Sequence, residues 1–474
     1  MGAAAQMMER RLREDFPAWE GLVERAGWCV RPVRVMGGAA AVHPGTGEVL
    51  AAYDSQGEPD GSLLIACGDR RAGVCPPCSA RYRANLWRII VMGLDGSAGA
   101  GWPVRVPGSV SAHPAVFATL TAPSWGRVHR VRSQDGACHP SRGRPVCEHG
   151  TARWCNLVHA DGRQVGDAMC VSCYGYTDHV LWHASMPELW RRTVVGLPRA
   201  LARQSGPVTG THRTVKEITA LLRPRFARVV EWQRRGALHV HAVVRLDGRS
   251  DGDVAAAPPA WAGRDLLAAA VRDAALSASV SMPAPDGVAR SAVWGSQLDV
   301  SPITNPSAAA RYLAKYSTKV AGDTLPGWPM RAFGPLEMDR MRARGVSWHL
   351  LMLAGTCLRL ARRYPDLSHL AERVHQMGYG GHYASKSPMY SMTMLALSEA
   401  RRSWRARRSN GDVWADLGAV VVGDWRLVGL GYRTAGDAEV AGQLYRQEQQ
   451  VRAARRVHDV AVVRLVDGEE EAGW

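Results

Sequence analysis

Two histidines separated by one residue form the most informative chemical pattern in the chain. His239 and His241 lie in the run ALHVHAVVRL, whose apolar and β-branched residues predict a buried strand. Side chains at positions i and i+2 of a strand point to the same side, so both imidazoles would converge on one point. Two converging imidazoles suit a divalent metal ion, although a pair of structural histidines would have the same spacing.

Glu231 adds a carboxylate to this pattern. The apolar run Phe226–Trp232 precedes the histidine strand, and Gly236 lies in the short stretch between the two runs, which predicts a β-hairpin. From the preceding strand, Glu231 would supply an oxygen ligand to the ion or orient one imidazole.

A pair of tyrosines in the run YLAKYSTK is the candidate nucleophile. Tyr312 and Tyr316 lie on a predicted helix over 307–320, and four residues turn through about 400°, so both phenols share one face. Lys315 and Lys319 each follow a tyrosine by three residues. A free phenol, with a pKa of about 10, is a poor nucleophile at neutral pH, and nearby ammonium groups favour the phenolate and bind phosphate. The alternative to a nucleophile pair is a purely structural helix, with the tyrosines on its buried face and the lysines on its solvent-exposed face.

Nine of the ten cysteines precede residue 175 and form two groups, which predicts zinc sites. Each group contains a C-x2-C pair, and such pairs let two thiolates reach one tetrahedral ion from a tight turn. A closed structural zinc site is predicted from Cys29, Cys67, Cys75 and Cys78. A second zinc site would take four of the five later cysteines, which are Cys138, Cys147, Cys155, Cys170 and Cys173. His149 is a competing ligand, and the lone Cys357 is predicted to be a buried thiol.

These groups divide the chain into three predicted segments. Residues 1–110 would form an N-terminal zinc-binding module. Residues 111–322 would form the catalytic domain, interrupted by a Gly-, Pro- and Cys-rich insertion at 136–177 that lacks periodicity. Residues 323–474 would form a helical, basic C-terminal region.

The charge balance indicates a polyanionic partner. The chain of 474 residues has 59 Lys and Arg against 43 Asp and Glu, a net charge of +16, which favours nucleic acid. No Gly-Lys pair occurs, so a P-loop NTPase is excluded. With no long apolar run and no apolar signal segment, we expect a cytoplasmic protein without membrane contact. The predicted DNA-contacting residues are Arg234, Arg235, Arg311, Arg401 and Arg405.

Five stretches of the chain resemble HUH-superfamily rolling-circle replication initiators of actinobacterial, Streptomyces-type plasmids and integrative elements. They are CGDRRAGVCPPC, FATLTAPSWG, EWQRRGALHVHAVVRLDG, ARYLAKYSTK and MGYGGHYASKSPMYS, and the resemblance spans about residues 29–390. It implies an α+β fold whose antiparallel HUH-endonuclease sheet has flanking helices and carries the two histidines on a central strand. The zinc-binding N-terminal module and the zinc-stapled insertion would be additions to this sheet.

The same resemblance implies a metal-dependent strand transferase acting on single-stranded origin DNA. Mg²⁺ or Mn²⁺ would be the catalytic ion and Zn²⁺ a structural one. A tyrosine would cut the origin, form a 5′-phosphotyrosine and leave a 3′-OH for a host DNA polymerase, with a host helicase unwinding the duplex. Tyr316 matches the nucleophile of single-tyrosine members, and Tyr312 stands where those members have a glutamate. Tyr312 would therefore act in termination, with Lys315 and Lys319 assisting.

Two other interpretations remain open at this point. A two-tyrosine HUH transposase shares the order of histidines before tyrosines and can carry an N-terminal zinc module. A non-enzymatic, zinc-dependent DNA-binding regulator would need the basic charge and the cysteines but neither His239 nor Tyr316.

Overall fold

The protein has a mixed α+β fold, seen in a computed structural model. Its strands pair antiparallel, and helices cover them. The structure describes residues 2–470 except 97–105, 133–135, 160–161, 163, 250–254, 320, 322–324, 326 and 411–417, and the side chains only up to 455, without those of 404–410. The chain forms two compact units, residues 1–82 with 401–474, and residues 83–400. This grouping differs from the three predicted segments, which remain a prediction about separately folding modules.

The unit that combines the two ends of the chain is built on a four-stranded antiparallel sheet. Its strands are Val33–Val42 (β1), Val49–Asp54 (β2), Leu63–Ile65 (β3) and Val420–Leu430 (β11). Strand β1 pairs with the other three. Its helices are Ala3–Leu12 (α1), Phe16–Arg25 (α2) and Ala435–Glu470 (α12).

The segment after residue 323 is not all helical, contrary to the prediction. Its β-branched run Val420–Leu430 forms the long strand β11, because apolar residues of this kind fit a pleated sheet better than a helix. A second, short strand, Ala384–Lys386 (β10), lies in the other unit.

The unit of residues 83–400 contains the predicted hairpin within a five-stranded antiparallel sheet. Its strands, in the order β10–β5–β6–β4–β9, include Ala115–Thr121 (β4), Leu222–Trp232 (β5), Leu238–Gly248 (β6) and Leu298–Pro302 (β9). Strands Val280–Met282 (β7) and Arg290–Ala292 (β8) form a separate pair. Gly236 has a φ of +71° in the turn between β5 and β6, a conformation that glycine adopts without strain.

Helices surround this sheet. They are Tyr176–Thr209 (α4), Val215–Leu221 (α5), Arg264–Ser277 (α6), Pro306–Ser317 (α7), Pro335–Ala343 (α8), Trp348–Arg363 (α9) and His369–Glu372 (α10). Helices Pro76–Asp95 (α3) and Met394–Asn410 (α11) include the boundaries between the two units. Among the described residues no helix combines the length and the apolar character needed to cross a membrane.

The two faces of the five-stranded sheet have different roles. Along β4 and β6 alternate residues point to opposite faces. Val116, Ala118 and Leu120 pack with α4 and α6 into buried apolar clusters. The opposite face carries His239 and His241, so the hydrophobic back of the sheet fixes the strand that presents them.

Candidate active site and metal centres

The register of the central strands brings Glu231 and the two histidines to one face of the sheet. Glu231 is paired with His239 across the β5–β6 hairpin, and Val229 is paired with His241. Directly paired residues of antiparallel strands present their side chains on the same face. Glu231 therefore lies on the strand next to the histidines and on their face of the sheet, as predicted.

Both nitrogens of His241 have partners. Its Nε2 lies 3.0 Å from Oε2 of Glu231, and its Nδ1 lies 3.2 Å from Oγ1 of Thr119 on β4. The ring is buried, with 3% of the residue exposed. Held from both sides, His241 has a fixed ring plane, and Thr119 is a functional candidate that the sequence interpretation missed.

His239 lies beside this pair but is less tightly held. Its ring centroid is 6.0 Å from that of His241. Burial, with smaller contributions from His241 and Arg235, lowers the pKa of His239 to about 4. His239 is therefore a neutral imidazole at neutral pH, the protonation state that a metal ligand requires.

Helix α7 lies against this face and carries both predicted tyrosines. The helix begins at Pro306, where Oδ1 of the preceding Asn305 accepts a hydrogen bond of 2.9 Å from the Ala308 N–H. The ring of Tyr316 is nearly parallel to that of His241, with centroids 5.4 Å apart, and the ring of Tyr312 meets His241 edge-on at 5.2 Å.

The two phenol rings also contact each other, with centroids 4.8 Å apart. Phe117 on β4 touches both His241 and Tyr312, at centroid distances of 6.0 and 5.5 Å. Tyr312 is 43% exposed, and Tyr316 is half-buried. Both phenols therefore lie on one face of α7 and against the same histidine.

The lysines were expected to favour the phenolate, but the pKa of Tyr316 is raised. The largest cause is its hydrogen bond with Tyr312, followed by burial and by the negative charge of Glu231. The ammonium groups of Lys319 and Lys315 are 4.9 and 5.6 Å from the ring centroid of Tyr316. They are near enough to meet a phosphate beside the phenol, but without DNA the phenol keeps its proton at neutral pH.

The predicted DNA-contacting arginines have different surroundings. Arg234 and Arg311 are exposed in the same unit as the histidines, and Arg401 is half-buried in the other unit. Arg235 stays a prediction; its guanidinium donates hydrogen bonds to the backbone oxygens of Ala122 and Pro123 and to the side chain of Gln233, as that of Arg234 does to the backbone oxygen of Gly162. The side chain of Arg405 lies outside the described residues.

Three groups of cysteine and histidine have their ligand atoms within 4.8 Å of one another in the described part of the chain. One is the predicted four-cysteine group, with Sγ–Sγ distances of 3.7 Å for Cys29 to Cys75 and for Cys67 to Cys78. Sulfurs bound to one tetrahedral zinc ion at about 2.3 Å would lie about 3.8 Å apart. This donor set could hold zinc.

The five later cysteines do not form a single site, which corrects the prediction. Two of them group with two histidines, as His129, Cys138, Cys155 and His159. The other three group with one histidine, as Cys147, His149, Cys170 and Cys173. The sequence interpretation missed His129 and His159 because it searched for C-x2-C pairs, although His159 follows Cys155 by only four residues, a local spacing that could have indicated a ligand. Cys357 is a buried free thiol, as predicted.

Comparison with known proteins decides the family. Residues 15–446 match the family described as "Replication initiator protein, pSAM2". A protein of Streptomyces ambofaciens named "Replication initiator protein" is 37% identical over 459 residues, which cover 93% of this chain and 92% of the relative. The chain belongs to this replication initiator family. No solved structure matches the initiator.

The family match extends beyond the stretches that carry the sequence resemblance. Those stretches end near residue 390, whereas the match continues to residue 446 and so includes β11 and the first part of α12. Both units of the initiator are therefore part of the family's common sequence.

Proposed function

We propose that this replication initiator is an HUH endonuclease that nicks and rejoins single-stranded origin DNA and thereby starts rolling-circle replication. One observation carries the proposal. Tyr312 and Tyr316 lie against His241, on the sheet face that also presents His239 and Glu231. A pair of nucleophiles, a metal-binding histidine pair and a carboxylate then surround one position where a phosphate can lie.

The donor set at this position fits a divalent cation. Two imidazoles and a carboxylate are suitable ligands for Mn²⁺ or Mg²⁺. The 3.0 Å between Nε2 of His241 and Oε2 of Glu231 equals the spacing of neighbouring ligand atoms around an octahedral ion with bonds of about 2.1 Å. His239, His241 and Glu231 would hold the ion, which would polarise the scissile phosphate.

Tyr316 would be the first nucleophile. Its phenolic oxygen attacks the scissile phosphorus, the P–O3′ bond breaks, and the DNA remains bound as a 5′-phosphotyrosine ester. The phenol loses its proton and the departing 3′ oxygen gains one, so one ester replaces another and no ATP is needed. Lys315 and Lys319 would neutralise phosphate charge beside the phenol.

Tyr312 would act as the second nucleophile, at termination. A phenol is a poor general base for water at neutral pH, but it can attack a phosphate as Tyr316 does. The two rings are in contact, so a small movement of α7 exchanges one for the other. Tyr316 would hold the old 5′ end while Tyr312 cuts the regenerated origin.

The remaining parts of the proposal concern partners. Exposed Arg234 and Arg311 would contact the phosphates of origin DNA. The 3′-OH would be extended by a host DNA polymerase behind a host helicase. Zinc held by Cys29, Cys67, Cys75 and Cys78 would be structural, because four protein ligands leave no open position.

Purified initiator should be incubated with Mn²⁺ and labelled single strands that tile the DNA flanking its gene. We expect one oligonucleotide to give a covalent adduct that survives a denaturing gel and digests to a peptide containing Tyr316. Omitting Mn²⁺, which leaves structural zinc in place, should abolish the adduct while leaving duplex binding intact.

Two outcomes would contradict the proposal. Specific duplex binding without any adduct would favour the DNA-binding regulator, which needs neither His239 nor Tyr316. Adducts formed only at paired element ends would favour the two-tyrosine transposase.

A further inference from the structure

Within the segment between β4 and α4, the stretch 129–159 is held together by very little apolar packing. No helix or strand is assigned to its described residues, and only isolated bridges join His139 to Cys155 and Val146 to Ala152. Its aliphatic side chains are exposed: Val131 by 55%, Val146 by 61%, Leu157 by 62% and Val158 by 46%. A segment that buries so little apolar surface needs another source of stability.

The buried residues that the structure describes in this stretch are all potential metal ligands. Cys138, Cys155 and His159 are 0%, 7% and 6% exposed. With the half-buried His129 they form the first mixed group, in which all four ligand atoms lie within 4.8 Å of one another.

The distances within this group are those of a tetrahedral zinc site. Sγ of Cys138 lies 3.7 Å from Nδ1 of His129, and Sγ of Cys155 lies 3.5 Å from Nε2 of His159. With Zn–S bonds of about 2.3 Å and Zn–N bonds of about 2.05 Å, tetrahedral angles separate sulfur and nitrogen by about 3.6 Å.

The second mixed group is separate and more exposed. Nδ1 of His149 lies 3.3 Å from Sγ of Cys173 and 3.9 Å from Sγ of Cys170. Cys147 completes the set. The two groups share no residue, so one ion cannot serve both.

We propose that the insertion binds two separate zinc ions, one through His129, Cys138, Cys155 and His159 and the other through Cys147, His149, Cys170 and Cys173. The first ion takes the place of an apolar core in the stretch 129–159, and the second links Cys147 and His149 to Cys170 and Cys173. This inference does not depend on the proposed nicking activity, since it concerns metal content alone.

The first site also lies close in sequence to a contact with the catalytic hairpin. Gly162, three residues after His159, accepts a hydrogen bond of 3.0 Å from Arg234 in the β5–β6 turn. Zinc at this site therefore fixes a segment that touches the turn from which the histidine strand begins.

The test is the zinc content of the full-length protein, measured by elemental analysis after dialysis against buffer without metal. Cys138→Ser and His159→Ala should each lose one zinc equivalent relative to the wild type. The double variant Cys170→Ser/Cys173→Ser should lose one different equivalent, so that combining it with Cys138→Ser removes two. His382→Ala, at an exposed histidine, and Cys357→Ala should lose none.

A second measurement uses the wild type and so does not depend on how the variants fold. Cobalt substitution of the full wild-type chain should give the visible absorption of tetrahedral thiolate-bound Co²⁺. In well-folded insertion variants this absorption should fall by separate increments. Wild-type protein with a single zinc, or insertion variants that share one lost equivalent, would overturn the proposal.

Discussion

At the scale of single residues, the orientation of His241 depends on a hydroxyl that no motif identifies. Thr119 Oγ1 lies 3.2 Å from Nδ1 of His241, while Glu231 lies on the other side of the ring. Groups that orient a metal-binding histidine typically contribute about 10–100-fold to metal affinity or activity. We expect Thr119→Val to reduce Mn²⁺-dependent nicking by this factor and to raise the Mn²⁺ concentration required. Nicking rates across a Mn²⁺ titration provide the measurement.

The matched control is Thr119→Ser, which keeps the hydroxyl and should restore most of the activity. Equal losses in the valine and serine variants would mean that Thr119 acts through its methyl group and packing, not through the hydrogen bond.

The tyrosine pair gives a second prediction at this scale, about the division of labour. Tyr316→Phe should give no covalent adduct, because it lacks the first nucleophile. Tyr312→Phe should still nick and form the adduct yet fail to release closed single-stranded circles. Denaturing gels and a circle-release assay distinguish these outcomes. Normal circle release by Tyr312→Phe would reduce Tyr312 to a packing residue, and the reverse pattern would exchange the two roles.

At the scale of elements, local patterns predicted the parts of the site that lie on one strand or one helix. The i, i+2 spacing of His239 and His241 and the capping of α7 at Asn305 are visible in the sequence and recur in the structure. The pairing of β4 with β6, which brings Thr119 beside His241, is a contact between residues 122 positions apart. No periodicity reports such a register, so Thr119 could not be found in advance.

The insertion illustrates the same limit for metal ligands. His129 and Cys138, and Cys155 and His159, are each close in sequence, but the two pairs form one group only because the chain folds back on itself. The raised pKa of Tyr316 is local in its largest cause, the hydrogen bond with Tyr312 one turn earlier on the same helix, and tertiary in the next two, burial and the negative charge of Glu231.

The contact between the insertion and the β5–β6 hairpin leads to a prediction about Gly166. This residue has a φ of +98°, and a Cβ atom there would lie 2.5–2.7 Å from backbone atoms of Arg234 and Arg235. Gly166→Ala would therefore force the insertion away from the β5–β6 turn, with strain of about 1–3 kcal/mol. We expect reduced nicking with unchanged zinc content.

Gly143→Ala serves as the control, because a Cβ atom there meets nothing within 4 Å. Wild-type nicking by Gly166→Ala would show that the position of the turn does not matter for catalysis.

At the scale of the whole molecule, the two ends of the chain belong to one unit, which the three-segment prediction did not anticipate. Strand β11 pairs along nearly the whole length of β1, and helix α12 packs against α1. The sequence predicts a basic, helical C-terminal region and contains no local signal that a strand there pairs with β1, almost 400 residues earlier. The family match that continues to residue 446 is consistent with a shared role for both ends.

Buried ion pairs of Arg10 connect the N-terminal and C-terminal parts of this unit and lead to the last prediction. Nε of Arg10 in α1 donates to Asp437 in α12 at 2.7 Å, and its NH2 group donates to Asp60 at 2.6 Å. The three side chains are 4%, 3% and 8% exposed, and the guanidinium lies 5.0 Å from the ring centroid of Trp19. Removing one partner of a buried pair leaves an uncompensated charge.

We therefore expect Arg10→Ala to lower the free energy of unfolding of this unit by about 3–5 kcal/mol. Arg11→Ala is the matched control, because Arg11 is exposed, donates to Gln443 and lies 5.9 Å from the ring centroid of Phe16, so its effect should stay within about 0.5 kcal/mol. Hydrogen exchange of the intact protein should show faster exchange in α1, β1 and β11 of the Arg10 variant, while the strands β4–β6 keep their protection. Equal protection in the two variants would contradict the role of the ion pair. Loss of protection spread evenly through residues 83–400 would contradict an effect confined to the unit that contains Arg10.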